Sequence, residues 1–401
     1  MRPFQSTISL TDAQGIIASV VVPLTHTERV PLARAHGRVL AEGAVALVDV
    51  PPFARAAMDG YAVRARDTEG ATRDAPVTLR CVEQIFTGQM PVQTVEAGLC
   101  SEVATGAPMP DGADAVVMVE ETEAAGSQIR FRAAASSEQN VGRRGQDIQQ
   151  GQQVLQAGLL LTPSRVGALA ALGLTEVSVY ARPRVAILST GNEIVAPGQP
   201  LAPGQIYDIN STTLTAVVAE HGGVPVTYRT AVDTIEDLSR AVDECLADDV
   251  LVFSGGSSVG TRDLILDVMR AKGEVLFHGI AVKPGKPTAF GRISGKLAFG
   301  MPGYPTSCLT NAYVLLVPVL RRLARLPDQP TRSVRLPLGA RVTSTPGRHQ
   351  FYTVRIVDGV VMPAFKASGD ITSMSQADGY IEIDADTSTV EAGSFVDVKF
   401  F

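Results

Sequence analysis

Regular alternation between short apolar runs and longer amphipathic runs fills residues 184–325, and this pattern constrains the fold more than any other feature of the chain. Strands are predicted at residues 185–188, 224–229, 250–253 and 296–299, and helices follow them at 210–221, 234–247, 262–272 and 306–323. Short strand–helix connections favour a doubly wound, mainly parallel sheet. Because ligands of such sheets bind outside the carboxyl ends of the strands, the loops there are the first candidates for a site.

The residue pattern changes on both sides of this region. Residues 49–147 show short alternating runs separated by glycine turns, as expected for a barrel or sandwich, and the segment after residue 327 shows the same pattern. We predict a multidomain α/β plus β protein with the following parts: an elongated helical, linking domain (1–48 and 148–182, with helical runs near 10–22 and 32–40), an inserted β-barrel-like domain (49–147), the α/β domain (183–326) and a C-terminal β-barrel domain (327–401).

Composition limits the possible ligands and the compartment. A net charge of −6 over 401 residues argues against a general nucleic-acid-binding surface, so any anion site must be a local concentration of donors. The cysteines are scattered along the chain without a CxxC pair, at Cys81, Cys100, Cys245 and Cys308. This spacing favours reduced, mostly buried thiols over a set of disulfides or a zinc site. With no signal pattern and no apolar run of about 18 residues, we expect a cytoplasmic protein without a membrane interaction.

A glycine- and serine-rich loop follows the strand predicted at 250–253. Its candidate ligand-binding residues are Gly255, Gly256, Ser257 and Ser258. Backbone N–H groups and hydroxyls at the start of a helix are what a phosphate cradle requires, although a plain flexible turn is the alternative. The spacing matches neither a Walker loop nor the dinucleotide fingerprint.

Two further loops carry donors or rigid backbone. Lys283 and Lys286 flank a Pro-Gly turn, which predicts a fixed anion clamp, whereas the alternative is a pair of solvated lysines. Pro302 and Pro305 stiffen the loop before the last long helix. The N-terminus of that helix is therefore a second position at which we expect an anion to bind.

Acidic residues lie among the same loops. Glu193, Asp208, Asp233 and Asp263 are all near strand ends. Carboxylates beside phosphates usually share a hard divalent cation, most often Mg²⁺, while helix N-capping is the alternative for Asp233 and Asp263. The first half of the chain adds a second polar cluster, in turns that carry Asp59, Thr105 and Asp147.

Together these motifs closely resemble the molybdopterin molybdenumtransferase family, the MoeA type to which the E domain of gephyrin is related. The resembling segments are 58–62, 105–108, 144–148, 190–193, 254–260, 283–287 and 302–307, in the family's order across essentially the whole chain. The resemblance implies that the protein inserts molybdate into adenylylated molybdopterin, with Mg²⁺, and releases AMP. It also implies a homodimer with shared active-site clefts and transient contact with the adenylyltransferase that makes the intermediate.

Residue by residue, the resemblance implies these roles. Asp59, Thr105 and Asp147 would come from the partner subunit's side of the cleft. Glu193, Asp233 and Asp263 would meet Mg²⁺, Glu193 with a catalytic role as well. Lys283 and Lys286 would meet anionic oxygens, including those of molybdate. The cofactor-binding residues would be Gly255, Gly256, Ser257, Ser258, Pro302, Pro305, Arg348 and Ser368.

Three departures from the family's usual pattern are Asn192 in place of aspartate, Tyr304 in place of asparagine, and Thr261-Arg262 in place of an acidic stretch. They leave the choice between molybdate and tungstate open. Two other functions also stay open. One is molybdopterin adenylyltransferase activity, because those enzymes share the sheet domain, and the other is a non-catalytic molybdopterin-binding scaffold.

Overall fold

The computed structural model of the protein describes residues 7–228, 234–255, 264–330 and 332–401. The chain forms two compact units. The large unit comprises Met1–Glu28, Gly37–Val39 and Ser178–Phe401, and the small unit comprises Arg29–His36 and Leu40–Val177. The division into four domains proposed from the sequence stays a prediction.

Helix α1 (Leu10–Val20) opens the large unit, and the Ser9 side chain caps it by accepting a hydrogen bond from the Asp12 N–H. The helix predicted near 32–40 is wrong, since only a 3₁₀ turn forms there, at Leu32–Arg34. Gly37 has a φ of 74°, and this left-handed conformation is incompatible with a continuing helix.

The small unit is built on a six-stranded sheet with the order β4-β1-β3-β2-β6-β5. Its strands are β1 (Gly60–Val63), β2 (Val77–Ile85), β3 (Leu99–Val103), β4 (Ala115–Met118), β5 (Thr122–Ala125) and β6 (Gln128–Phe131). All neighbours are antiparallel except β2 and β3. Shorter elements of the chain are the strands Thr27–Pro31, Ala44–Val45, Arg55–Ala56, Val141–Gly142, Gln153–Leu155 and Glu176–Tyr180, the 3₁₀ turns Ala65–Thr68 and Val119–Glu121, and helix α2 (Pro163–Ala171).

A mixed six-stranded sheet lies at the centre of the large unit, in the order β8-β7-β9-β13-β12-β10. The elements of this region are β7 (Arg184–Ser189), α3 (Ile209–Glu220), β8 (Val224–Thr227), α4 (Ile235–Cys245), β9 (Val250–Ser254), α5 (Leu264–Lys272), β10 (Gly273–His278), β11 (Val282–Lys283), β12 (Ala289–Ile293), β13 (Lys296–Met301), α6 (Pro305–Asn311), a π-helical turn (Ala312–Leu316) and α7 (Val317–Leu323). Strands β8, β7, β9 and β13 are parallel, which confirms the predicted doubly wound core.

The antiparallel strands β10 and β12 were not predicted, because their glycines look like turn residues in the sequence. A Cβ on Gly273 would lie 1.9 Å from the Arg292 carbonyl oxygen, and a Cβ on Gly291 would lie 2.0 Å from that of Glu274. The glycines therefore permit close approach of neighbouring strands here rather than a turn.

Both faces of the central sheet are buried. Val185 and Ile187 of β7 pack in one cluster with residues of α1, α3, α6 and α7. Ala186 and Leu188, which point the other way, pack with residues of α4 and α5. Because helices cover both faces, the loops at the carboxyl ends of the strands form the accessible edge where a ligand can bind.

The C-terminal part of the large unit is a second sheet with the order β11-β15-β17-β18-β14, in which β16 also pairs with β15. Its further strands are β14 (Ser333–Pro337), β15 (His349–Val357), β16 (Val360–Pro363), β17 (Gly379–Ile383) and β18 (Phe395–Phe400), with a short helix α8 (Thr372–Ser375). Short strand pairs are Ile194–Val195 with Ile206–Tyr207 and Val342–Thr343 with Thr389–Val390. Across the described residues, no helix combines the length and the apolar character that crossing a membrane requires.

Candidate functional site

A cavity of about 1170 Å³ lies in the large unit at the carboxyl ends of the parallel strands. Its size suits a ligand as large as a nucleotide conjugate. The predicted site residues that line it are Glu193, Gly255, Lys283, Lys286, Pro302, Pro305, Arg348 and Ser368. The predicted residues Gly256, Ser257, Ser258, Asp233 and Asp263 lie outside the described residues.

One side of the cavity is cationic. Lys283, Lys286 and Arg348 all line it. Lys283 lies in β11, a short strand that pairs with β15 of the C-terminal sheet. This pairing brings Arg348, which directly precedes β15, beside the lysine loop. The Lys283 ammonium donates a hydrogen bond of 2.9 Å to the Thr345 hydroxyl, which fixes its position. The C-terminal sheet therefore completes a cluster of positive charge that the lysine loop begins.

Buried side chains hold the lysine loop in shape. The Asn311 amide, which is almost fully buried, donates to the Gly285 carbonyl oxygen at 2.8 Å and to the Thr288 hydroxyl. Thr288 in turn donates to the same carbonyl at 2.9 Å. Gly285 has a φ of 107°, so a glycine is needed at the tip of the turn. This network sets the spacing between the two lysines.

Replacing Gly285 by alanine is expected to lower the free energy of unfolding by about 3 kcal/mol, because the new Cβ would lie 2.3 Å from the Asn311 amide nitrogen and displace a buried hydrogen-bonded group. Gly295→Ala is the matched control. It has a φ of 82° but nothing within 4 Å of a Cβ, so only the conformational cost of about 1 kcal/mol applies. Urea unfolding of both variants measures the difference, and equal losses would contradict the assigned packing.

The backbones of three loops meet at the floor of the cavity. Gly255 has a φ of 101°, and a Cβ on it would lie 2.2 Å from the Thr190 carbonyl oxygen. The Thr190 N–H donates to the Ser254 carbonyl at 2.9 Å, which joins the loops after β7 and β9. A Cβ on Gly303 would lie 3.5 Å from the Gly255 Cα, so the third loop is equally close. Small residues let these backbones approach a ligand closely.

Three buried polar atoms at this floor have no hydrogen-bond partner within the part of the chain that the structure describes. They are the hydroxyl oxygens of Ser189 and Thr190 and the amide oxygen of Asn210. All three residues are more than 90% buried and line the cavity. Since buried polar groups are normally satisfied, these atoms indicate that a polar ligand or water binds here.

Asn210 was missed as a site residue because its place at the start of a predicted helix suggested a purely structural role. Its amide nitrogen donates to the Gly303 carbonyl oxygen at 2.8 Å, which leaves the oxygen as the open acceptor. Its only sequence signal is its position in the first turn of the helix, two residues after the N-cap residue Asp208.

Two carboxylates of the cavity wall lie among the described residues, those of Glu193 and Asp208. Asp208 caps α3, because one of its oxygens accepts from the Ser211 N–H at 2.9 Å. Glu193 lies next to Gly191, whose Cβ position would be 2.7 Å from a carboxylate oxygen. No group of three or more His, Cys, Asp and Glu side chains able to hold a metal occurs among residues with described positions. Mg²⁺ therefore stays a prediction, and Glu193 provides the oxygen chemistry that it would need.

Large apolar and aromatic side chains also line the cavity, which the sequence did not predict. Leu201, Ile206 and Tyr207 line it from the segment that follows Glu193, and Tyr304 lines it from the loop before α6. These side chains are between 42% and 68% exposed, and exposed apolar residues gathered in one groove are typical of ligand-binding sites. The cavity lining thus combines cationic side chains with large apolar and aromatic ones.

The second predicted cluster lies in the small unit. The Asp59 carboxylate accepts from the Thr105 N–H at 2.6 Å and from its hydroxyl at 3.0 Å. These hydrogen bonds lower the pKa of Asp59 below its ordinary value, the backbone N–H having the larger effect. The register that pairs Gly60 with Val103 brings the two residues together. Asp147 is exposed on another turn, where its N–H donates to the Val50 carbonyl at 3.0 Å.

The fold and the cavity define a class of protein, one with a doubly wound sheet whose strand ends form a cavity lined by cationic and aromatic side chains. Comparison with known proteins agrees with this class. Residues 8–173 match the family described as MoeA N-terminal region (domain I and II), residues 186–322 match a probable molybdopterin binding domain, and residues 335–401 match the MoeA C-terminal region (domain IV).

Individual proteins match over nearly the whole chain. A Mycobacterium tuberculosis protein named molybdopterin molybdenumtransferase 2 is 36% identical over 406 residues, covering 97% of this chain and 98% of that protein. A Nostoc molybdopterin molybdenumtransferase is 34% identical over 81% of this chain and 77% of its own. A crystal structure of a molybdopterin biosynthesis MoeA protein from Pyrococcus horikoshii superposes with a TM-score of 0.84 at 38% identity, over 98% of this chain and 99% of that chain. The chain belongs to the MoeA family of molybdopterin molybdenumtransferases.

Proposed function

We propose that the protein inserts molybdenum from molybdate into the dithiolene of adenylylated molybdopterin and releases AMP. The observation that carries this proposal is the mixed lining of the cavity, which combines Lys283, Lys286 and Arg348 with the aromatic rings of Tyr207 and Tyr304. Such a cavity suits a ligand that joins phosphates to flat rings. The names of the relatives support a transferase of this kind.

The cationic side is the proposed site for the oxyanion. Molybdate is a dianion, and the ammonium groups of Lys283 and Lys286 with the Arg348 guanidinium supply charge-assisted hydrogen bonds to it. Ser368 lies in the same wall and adds a hydroxyl donor. The fixed position of the lysine loop reduces the reorganisation needed when negative charge shifts during the transfer.

The floor is the proposed site for the pyrophosphate. Ser189 and Thr190 hold hydroxyl groups there without a partner within the described residues, and Gly255 permits close approach. The predicted Gly256, Ser257 and Ser258 would extend this cradle, with Pro302 and Pro305 as the stiff opposite edge. Tyr207 and Tyr304 would lie against a ring of the substrate.

Mg²⁺ is the proposed cation, which would be held by Glu193, Asp233 and Asp263. When bound, a divalent cation neutralises the charge that develops on the phosphate as AMP leaves. Among the described residues, Glu193 presents a carboxylate in the lining of the same cavity as the proposed phosphate cradle.

We also propose that the protein acts as a homodimer with shared clefts. In this arrangement Asp59, Thr105 and Asp147 of one subunit would complete the site of the other. The Asp59–Thr105 pair supports the proposal, because an exposed carboxylate fixed by two donors is ready to accept a hydrogen bond or a proton from a substrate.

AMP release from adenylylated molybdopterin tests the proposed function. We expect release that depends on molybdate, that is lost when EDTA removes divalent cations, and that can be compared with tungstate to give the preferred oxyanion. If the protein instead accumulates adenylylated product from molybdopterin and Mg-ATP without molybdate, it is an adenylyltransferase. Tight binding of the substrate with no AMP release would identify a scaffold.

A further inference from the structure

Two cysteines that are distant in sequence meet in the sheet of the small unit. Cys81 in β2 and Cys100 in β3 are direct partners in the one parallel strand pair of this sheet. Adjacent strands lie about 4.8 Å apart, which is within the Cα separation of about 4.4–6.8 Å that a disulfide spans. Both are free thiols, and the Cys81 thiol donates a hydrogen bond to the Glu83 carbonyl oxygen at 3.4 Å. Because paired residues of neighbouring strands point to the same face of a sheet, the two cysteine side chains lie side by side.

We propose that Cys81 and Cys100 form a reversible intramolecular disulfide by exchange with a small-molecule disulfide, a modification separate from the proposed transferase activity. The Cys81 thiolate attacks one sulfur of the small disulfide, whose S–S bond breaks, and the first small thiol leaves. Cys100 then loses its proton and attacks the Cys81 sulfur, and the second small thiol leaves. In total, two protein thiols are oxidised and one small disulfide is reduced to two thiols.

The surroundings of the two sulfur atoms give them different roles. The neighbouring Cys100 lowers the pKa of the Cys81 thiol below its ordinary value, which favours the thiolate. Cys81 is half-buried and open to a small reagent. Cys100 is fully buried, and both the neighbouring Cys81 and this burial raise its pKa. Cys81 is therefore the attacking thiol and Cys100 the resolving one.

The local backbone can adjust to the new bond. The register between β2 and β3 shifts between Cys81 and Glu83, so a bulge lies directly beside the attacking residue. Bulges interrupt the ladder locally, which lets one strand move without disturbing the whole sheet.

The remaining cysteines provide an internal contrast. Cys245 and Cys308 are fully buried in the large unit, and burial raises the pKa of both thiols, that of Cys245 to about 12. Each is therefore a weak nucleophile that a small disulfide reaches poorly. Replacing both by alanine leaves the Cys81–Cys100 pair as the sole source of thiol chemistry in the chain.

The test treats the full-length Cys245→Ala/Cys308→Ala variant with hydroxyethyl disulfide at neutral pH, quenches it with an alkylating reagent and measures the intact mass. We expect a product lighter by two hydrogen atoms that takes up no alkylating group and recovers both thiols with a reductant. Adding Cys100→Ala should instead trap a stable mixed disulfide at Cys81, because the resolving thiol is gone.

A persistent mixed disulfide in the variant that keeps both cysteines, or two thiols that remain fully alkylatable, would overturn the proposal. If the alanine variants do not fold, the native protein gives the same answer by peptide mapping. A cross-linked pair of peptides containing Cys81 and Cys100 supports the proposal, and cross-links to Cys245 or Cys308 contradict it. Since the readout is a mass, failure of the proposed transferase function would leave this result unaffected.

Discussion

Molybdate-dependent AMP release should fall about 30-fold to 100-fold in kcat/KM when Lys286 is replaced by alanine. The substitution removes one ammonium group from the cationic side of the cavity. Hydrogen bonds to charged groups contribute about 1.5–3 kcal/mol, which corresponds to a factor of roughly 10 to 150. Because the loop is shaped by Gly285, Thr288 and Asn311, the fold should survive the loss of this side chain.

Two comparisons separate the anion clamp from a general charge effect. Lys296→Ala removes the same charge from the start of β13, outside the cavity lining, and should leave turnover unchanged. For Lys286→Ala, the loss should be largest at limiting molybdate and partly recovered at high molybdate. Unchanged turnover at limiting molybdate would remove Lys286 from the anion site.

Asp59→Asn is expected to lower turnover on the order of 10²–10⁴-fold, the usual contribution of a positioned acid or base. An asparagine oxygen can still accept from the Thr105 N–H and hydroxyl, so the local structure is kept while the negative charge is lost. Thr105→Ser is the matched control, because it retains both donors and should keep most of the activity. A fully active Asp59→Asn variant would make the Asp59–Thr105 pair a structural turn.

The pH dependence adds a second check on the same residue. Because Thr105 lowers the pKa of Asp59, the carboxylate stays ionised as the pH falls until it passes below the ordinary carboxyl range. Any loss of activity between neutral pH and about pH 5 should therefore be the same in the native protein and in a Thr105→Ala variant, which lacks the hydroxyl that helps to lower the Asp59 pKa. An acid limb in that range that moves with Thr105→Ala would show that Asp59 titrates there.

Mixed dimers test whether the clefts are shared. If each cleft draws on two chains, dimers that combine Asp59→Asn with Lys286→Ala contain one cleft with both native residues. Their activity should then approach half that of the native dimer, although each variant alone is impaired. Mixed dimers that form but show no complementation would place both residues in a cleft from one chain, or remove one of them from the site.

Much of the central fold follows from local patterns. The parallel strands were predictable because each is a short apolar run bounded by polar residues, and the helices between them have clear ends such as the Asp208 cap of α3. The glycine-containing strands β10 and β12 were not predictable from the sequence, since they form through close approach to a neighbouring strand. Local sequence does not indicate such contacts between distant segments.

Part of the candidate site was also predictable from the sequence, and part was not. Loops directly after predicted strands indicated Glu193 and Gly255, and the Pro-Gly turn indicated Lys283 and Lys286. All four residues line the cavity. The aromatic part of the lining could not be predicted from the sequence. Tyr207 and Tyr304 lie far apart in the chain, and only the fold brings both exposed rings to the cavity. The pairing of Cys81 with Cys100 could not be predicted either, since it depends on two parallel strands that are separated by a long connection.

The pairing of β11 with β15 has a consequence for how this architecture can be shortened. A chain that ends after α7 would keep the central sheet and both of its helical layers. It would nevertheless lose the strand that anchors Lys283, the Thr345 hydroxyl that holds its ammonium group, and Arg348 itself. The cationic lining of the cavity is thus a joint property of two successive sheets, and a free-standing copy of the central sheet would need other residues to form the proposed oxyanion site.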